Sequence, residues 1–169
     1  MLIRKATNAD AEKIAYVHVK SWQSTYQGIL PQNVLDNLSY EQRAKQCANN
    51  MKNENVYVAE DSVEGIVGFS TGGRERTGKY PYYTGELYAI YILEEFQRQG
   101  VGKELLKPVL DDLRIEDVSS MLVWVLEHNP AEEFYKTLGG TYLDKMDINM
   151  AGKTYQELAY GWERLPQID

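Results

Sequence analysis

The apolar positions of this chain change period several times, and each change marks an element. Leu2 to Lys5 is a short strand. Thr7-Asn8-Ala9-Asp10 supplies N-cap residues, after which Ala11, Ile14, Ala15, His18 and Trp22 fall on one helical face. That helix is expected to end near Gln27-Gly28, and Pro31 opens a new turn. From Val34 to Met51 the spacing of Leu35, Leu38, Ala44 and Ala48 predicts a second helix. Asn55 to Glu60 and Gly65 to Gly72 read as two strands of a hairpin around Asp61-Ser62-Val63-Glu64-Gly65. A polar loop, Arg74 to Thr84, then leads into the aromatic and β-branched strand that begins at Glu86. Val101, Leu105, Leu106, Val109, Leu110 and Leu113 give a third helical stretch, with Pro108 inside it, where a kink is expected. Met121 to Glu127 is a buried strand, Ala131 to Leu138 a short helix closed by Gly139-Gly140. Thr141 to Met150 and Thr154 to Leu165 form a last hairpin around Ala151-Gly152-Lys153. Strand, two helices, three strands, helix, strand, helix and two strands predict a mixed α+β or α/β fold with one sheet covered by helices.

Composition narrows the function classes. A chain of 169 residues is expected to form one domain, 1–169, with a substantial core. No apolar run approaches the ~18 residues of a membrane span, and MLIRKATNAD lacks a signal-peptide core, so a cytoplasmic location is expected. A single cysteine, Cys47, excludes an internal disulfide and a cysteine-rich zinc site. Two histidines, His18 and His128, argue against a structural metal. The net charge of −7 disfavours nucleic acid as a partner. Such a protein can bind a polyanion only where its few basic groups gather.

One stretch gathers them. Between the strand after Glu86 and the third helix lies Gln97-Arg98-Gln99-Gly100-Val101-Gly102, with Arg98, Lys103 and Lys107 alongside. A strand entering a glycine-containing loop that opens a helix makes an anion site. The free N–H groups point outward, the helix dipole adds partial positive charge, and glycine admits close approach. A glycine-rich strand-to-helix turn without a ligand would look the same on these residues alone.

Two motifs in order sharpen this. Gln97 to Gly102 fits the pattern (Q/R)-x-x-G-x-(G/A), and Asn129, Ala131, Phe134, Tyr135 and Gly139 follow the next strand. Together with the element order, these residues resemble the GCN5-related N-acetyltransferases (GNAT). Ser21-Trp22, Tyr26, Gly28 and Pro31 also resemble the first-helix segment of one small bacterial branch. The sequence departs from the family at Glu94, where a proline is usual, and at Gly139-Gly140, where Gly-Phe is usual.

The resemblance implies a mostly antiparallel sheet splayed between the fourth and fifth strands. It implies acetyl-CoA as cosubstrate, with no metal, and an amine as acceptor. A homodimer is compatible with it. The amides of Gln97, Arg98, Gln99, Gly100, Val101, Gly102 and Lys103 would cradle the pyrophosphate, and the backbone of Ile90 and Ile92 and the side chain of Asn129 would hold the pantetheine arm. Tyr135 matches the family tyrosine that protonates the departing sulfur, and also contacts the cofactor. Glu86 matches a glutamate that some members use as base, and Trp22 and Tyr26 lie where the acceptor cleft is expected. Each has a plain alternative: Glu86 a half-exposed strand carboxylate, Tyr135 a packed aromatic beside Phe134, Trp22 and Tyr26 core. Direct acetyl transfer to a primary amine is the leading reading, whether the acceptor is a small amine or a protein amine. A non-catalytic acyl-CoA-binding sensor or scaffold is the alternative. A dinucleotide-binding enzyme fits poorly, because the third glycine and a βαβ repeat are missing.

Overall fold

The computed structural model describes residues 1–169. Seven strands follow the order β1-β2-β3-β4-β5-β7-β6. They are β1 (Leu2–Lys5), β2 (Val56–Asp61), β3 (Gly65–Arg74), β4 (Gly85–Ile92), β5 (Met121–Leu126), β6 (Thr141–Met150) and β7 (Lys153–Trp162). Five helices join them: α1 (Ala11–Thr25), α2 (Gln32–Asp36), α3 (Tyr40–Asn50), α4 (Val101–Ile115) and α5 (Ala131–Thr137). The mixed sheet and its helical cover match the fold class expected from the pattern. The chain divides into two compact units, Met1–Gly72 with Ala89–Val109, and Gly73–Tyr88 with Leu110–Asp169. Both β4 and α4 contribute to each.

In the first unit, β1 and β3 flank β2 in antiparallel register. A bulge between Ala59 and Glu60 resets the alternation of β2 against β3. One apolar cluster sets Ile14 and Val17 of α1 against Val56, Val58, Ile66 and Phe69. A second sets Ala59 and Val67 against Val101 and Leu105 of α4. The hydroxyl of Ser70 donates to the Leu105 carbonyl at 2.7 Å, fixing α4 to β3. Arg4 ties the start of the chain down by donating to both oxygens of Asp10 at 2.9 Å and to Glu60 at 2.6 Å. Its guanidinium holds the Asp10 carboxyl well below the usual carboxylate range.

The long helix expected over Val34 to Met51 is two helices. α2 stops at Asp36, where Asn37 turns its amide back onto the Asn33 carbonyl at 2.7 Å. Ser39 is extended, and its hydroxyl accepts from the Gln42 amide at 3.2 Å, so it caps α3. Local capping chemistry overrides the apolar spacing there. α4 runs on through Pro108 to Ile115.

In the second unit the first residues of β4 pair in parallel with β5, from Gly85↔Met121 to Leu87↔Val123. β5 lies antiparallel to β7, and β7 closes a hairpin with β6. This register sorts side chains onto two faces. Leu87, Met121, Val123, Tyr160 and Trp162 share the face on which α5 packs, with Tyr135 edge-on to Trp162 at 6.2 Å. Glu86, Leu122, Trp124, Leu126, Ala159 and Glu157 share the opposite face.

Candidate active site

The loop after β4 has an unusual backbone. A short 3₁₀ turn covers Glu94–Phe96, then Arg98 and Gly100 both take left-handed conformations, at φ 59° and 84°. The Gln97 side chain donates to the Ile92 carbonyl at 2.9 Å, and Gln99 donates to the Glu95 carbonyl at 2.7 Å, so the loop is pinned from both sides. The first helical hydrogen bond runs from the Glu104 amide to the Gly100 carbonyl at 3.2 Å. The amides of Val101, Gly102 and Lys103 therefore precede the α4 ladder and have no intrahelical acceptor. Arg98, Gln99, Gly100 and Lys103 are exposed. The result is an open, cationic helix start suited to a phosphate. Ile90 and Ile92 are half-buried in β4 and pack with Ala59 and Val67.

Trp22 and Tyr26 also belong to the first unit. Their rings meet edge to face at 4.9 Å, and the Arg43 guanidinium lies 5.5 Å from the Trp22 ring. Tyr26 is buried. His18 stacks on Tyr91 at 4.9 Å and lines a cavity of about 110 Å³ with Arg43, Cys47 and Phe69. Burial pushes its imidazole down to about 4, with Arg43 adding to the effect. His18 Nε2 and Trp22 Nε1 are buried without hydrogen-bond partners. Burial pushes the Cys47 thiol up to about 11, so it is an inert sulfur at neutral pH.

The second unit holds the other candidates. Asn129 is buried at the β5–α5 junction, where its side-chain oxygen accepts from the Ala131 amide at 2.9 Å and starts the helix. Tyr135 is 5% exposed and lies between Phe134 and Trp162, with ring separations of 5.6 and 6.2 Å. Glu86 is not the half-exposed strand carboxylate that its plain reading suggested. It is 3% exposed, and Arg76 grips it. The guanidinium donates to Oε1 at 2.6 Å and to Oε2 at 3.3 Å, and the Arg76 backbone amide adds a bond to Oε2 at 3.1 Å.

The family profile described as Acetyltransferase (GNAT) family matches residues 16–139, which include both glycine-loop and Asn129–Gly139 motifs. This chain belongs to the GNAT acetyltransferase family. The acetyltransferase is 38% identical over 167 residues to YuaI of Bacillus subtilis, a protein named as an uncharacterized N-acetyltransferase, covering 98% of this chain and 95% of that one. Its fold resembles yncA of Salmonella typhimurium, solved with its cofactor acetyl-CoA (TM-score 0.70, 22% identity, 100% and 94% coverage). It also resembles the paia N-acetyltransferase of Thermoplasma acidophilum in complex with coenzyme A (TM-score 0.68, 20% identity, 92% and 96% coverage).

Three side chains of this acetyltransferase escaped sequence reasoning: Arg76, Trp124 and Glu157. Arg76 and Tyr80 lie in the Arg74 to Thr84 stretch, which carries no periodicity. Tyr80 meets Trp124 edge-on at 5.9 Å and donates to Asp144 at 2.8 Å. Burial and that carboxylate push its phenol up to about 12. Tyr83 contacts the Gly161 backbone, whereas Tyr82 remains in solvent. Burial raises the Glu157 carboxyl, with Arg76 opposing and Glu86 reinforcing the rise. Only the β5–β7 register brings Glu157 to this group, and no local sequence signal encodes that register.

Proposed function

We propose that residues 1–169 act as one acetyl-CoA-dependent N-acetyltransferase domain that transfers the acetyl group directly to a primary amine. The observation that carries this reading is the Gln97–Lys103 loop. Two left-handed residues lead into the amides of Val101, Gly102 and Lys103, which have no intrahelical acceptor, beside Arg98 and Lys103. That arrangement suits a pyrophosphate, and yncA and paia N-acetyltransferase, proteins of the same fold, were solved with acetyl-CoA and coenzyme A.

The chemistry assigns work to named residues. An alkyl amine of pKa near 10 is mostly protonated at pH 7, and neutralising it costs about 4 kcal/mol at ~1.4 kcal/mol per pKa unit. The neutral amine then attacks the thioester carbonyl. The C–N bond forms, the C–S bond breaks, and the bonding pair leaves on sulfur. The amine proton goes to a base, and the thiolate receives one from an acid. Tyr135 is assigned as that acid and Glu86 as the acceptor of the amine proton, directly or through water. Because Arg76 holds both Glu86 oxygens, Glu86 works as a base only when the largely exposed guanidinium moves aside or a water relays the proton. Backbone amides near Ile92 are assigned to polarise the carbonyl. Ile90, Ile92 and Asn129 are assigned to the pantetheine arm.

The loop assignment is tested at Gly100. A Cβ there meets nothing within 4 Å, so Gly100→Val does not collide with the protein. Its effects come from the left-handed φ of 84° and from crowding of the amides. Acetyl-CoA affinity by calorimetry should fall at least ~tenfold in a variant that still melts cooperatively. Parental affinity in that variant would remove the assignment.

A further inference from the structure

We propose that the acceptor is an amine carrying a second positive charge, and that Glu157 receives that charge beside the Trp124 ring. The inference rests on the acetyl-transfer reading for its substrate class, and on the second unit alone for its geometry.

The register carries it first. Glu86 pairs with Leu122, Trp124 with Ala159, and Leu126 with Glu157, so all three functional side chains emerge on one face of three adjacent strands. Trp124 and Glu157 are diagonal neighbours across the β5–β7 ladder, a separation at which long side chains touch a common ligand. Tyr80 stands edge-on to Trp124 above the same face, held by its hydrogen bond to Asp144.

Charge carries it second. Arg76 is the cation of this cluster, and its guanidinium is engaged by both oxygens of Glu86 and lies 4.3 Å from the Tyr88 ring centroid. The Glu157 side chain is half-buried beside that pair and interacts with Arg76 through charge rather than through a direct ion pair. One arginine thus faces two carboxylates, and the surplus negative charge sits at Glu157. Burial raises its carboxyl and Glu86 reinforces the rise, while Arg76, which Glu157 shares with Glu86, opposes it. A half-buried carboxylate next to aromatic faces is the chemistry that recognises an alkylammonium, by charge and by cation–π attraction. An acceptor bearing a carboxylate would meet repulsion from Glu157 instead.

The test uses 1,4-diaminobutane and n-butylamine as probes, matched in length and differing by one charge. In the parental enzyme with acetyl-CoA, kcat/KM measured by thiol release should favour the diamine by roughly tenfold or more. Glu157→Gln keeps shape and removes charge, so it should fold, and the diamine-to-monoamine ratio should fall toward one. Calorimetry of 1,4-diaminobutane with CoA-loaded protein gives a second readout that needs no turnover. Binding by the parental protein that Glu157→Gln weakens roughly tenfold supports the site, even if no amine releases thiol, in which case the acetyl-transfer reading falls alone. Equal preference for both amines, or diamine binding unchanged in Glu157→Gln, overturns the inference and leaves acetyl transfer intact.

Discussion

Tyr135 shows how much one atom can be asked to do. Its ring is buried between Phe134 and Trp162, with ring separations of 5.6 and 6.2 Å. Tyr135→Phe removes the oxygen and keeps the ring. If the phenol protonates the departing sulfur, the loss appears only as charge develops there. The expected result is a fall in kcat of roughly ten- to a thousandfold with nearly constant KM for acetyl-CoA. Turnover at the parental rate would leave Tyr135 a packing residue. His18 makes a different prediction. Its folded-state pKa is depressed to about 4 from an ordinary value near 6.5. Below pH 6.5 the unfolded chain binds a proton that the folded chain refuses, so stability falls as pH drops through 6.5 and levels off below 4. The span corresponds to about 3 kcal/mol at most. His18→Phe keeps a ring against Tyr91, and urea midpoints for the variant should lose this part of the pH slope between 6.5 and 4. An unchanged slope would show that His18 is solvated in the folded state.

Elements were legible where local chemistry and pattern agree. The β2–β3 turn reads directly, because Asp61 accepts from the Val63 and Glu64 amides at 2.9 and 3.1 Å and Gly65 takes a φ of 78°. The α2–α3 break did not, because apolar spacing continues across it while Ser39 caps a new helix. The β6–β7 hairpin has a two-residue turn between Met150 and Lys153, with Ala151 at φ 50° and Gly152 at 76°. Such a turn needs two left-handed residues, and alanine pays sterically for that conformation. Ala151→Asn should therefore stabilise the protein by about 0.5 kcal/mol, raising Tm by roughly 1–2 °C in a scanning calorimeter. A lower Tm would mean that the turn geometry is not the favoured left-handed pair. α4 joins the pattern and its function more closely. Its apolar stripe is what the sequence announces, and the same stripe orients its first turn, so the proposed anion site at Gly100 comes with the helix.

At the scale of the molecule, the family motifs located the Gly100 loop, Asn129 and Tyr135, because each depends on a short stretch of chain. The Arg76–Glu86 clamp and Glu157 were hidden, because each depends on contacts between distant positions: a loop arginine with a strand carboxylate, and one strand's register against another. The net charge of −7 takes on a meaning it lacked in composition alone. Part of it, at Glu86, Glu157 and Asp144, is gathered on one sheet face with Trp124 and Tyr80. No helix is long and apolar enough to cross a membrane. The central claim, acetyl transfer from acetyl-CoA to a primary amine, is tested most directly by incubating the protein with acetyl-CoA and a panel of amines. Free CoA thiol and acetylated amine are then quantified together by mass spectrometry. The account predicts that the two appear in equal amounts, depend on the protein, and drop together in Tyr135→Phe. Saturable acetyl-CoA binding with neither product from any amine would contradict it and make the protein a binder of the cofactor.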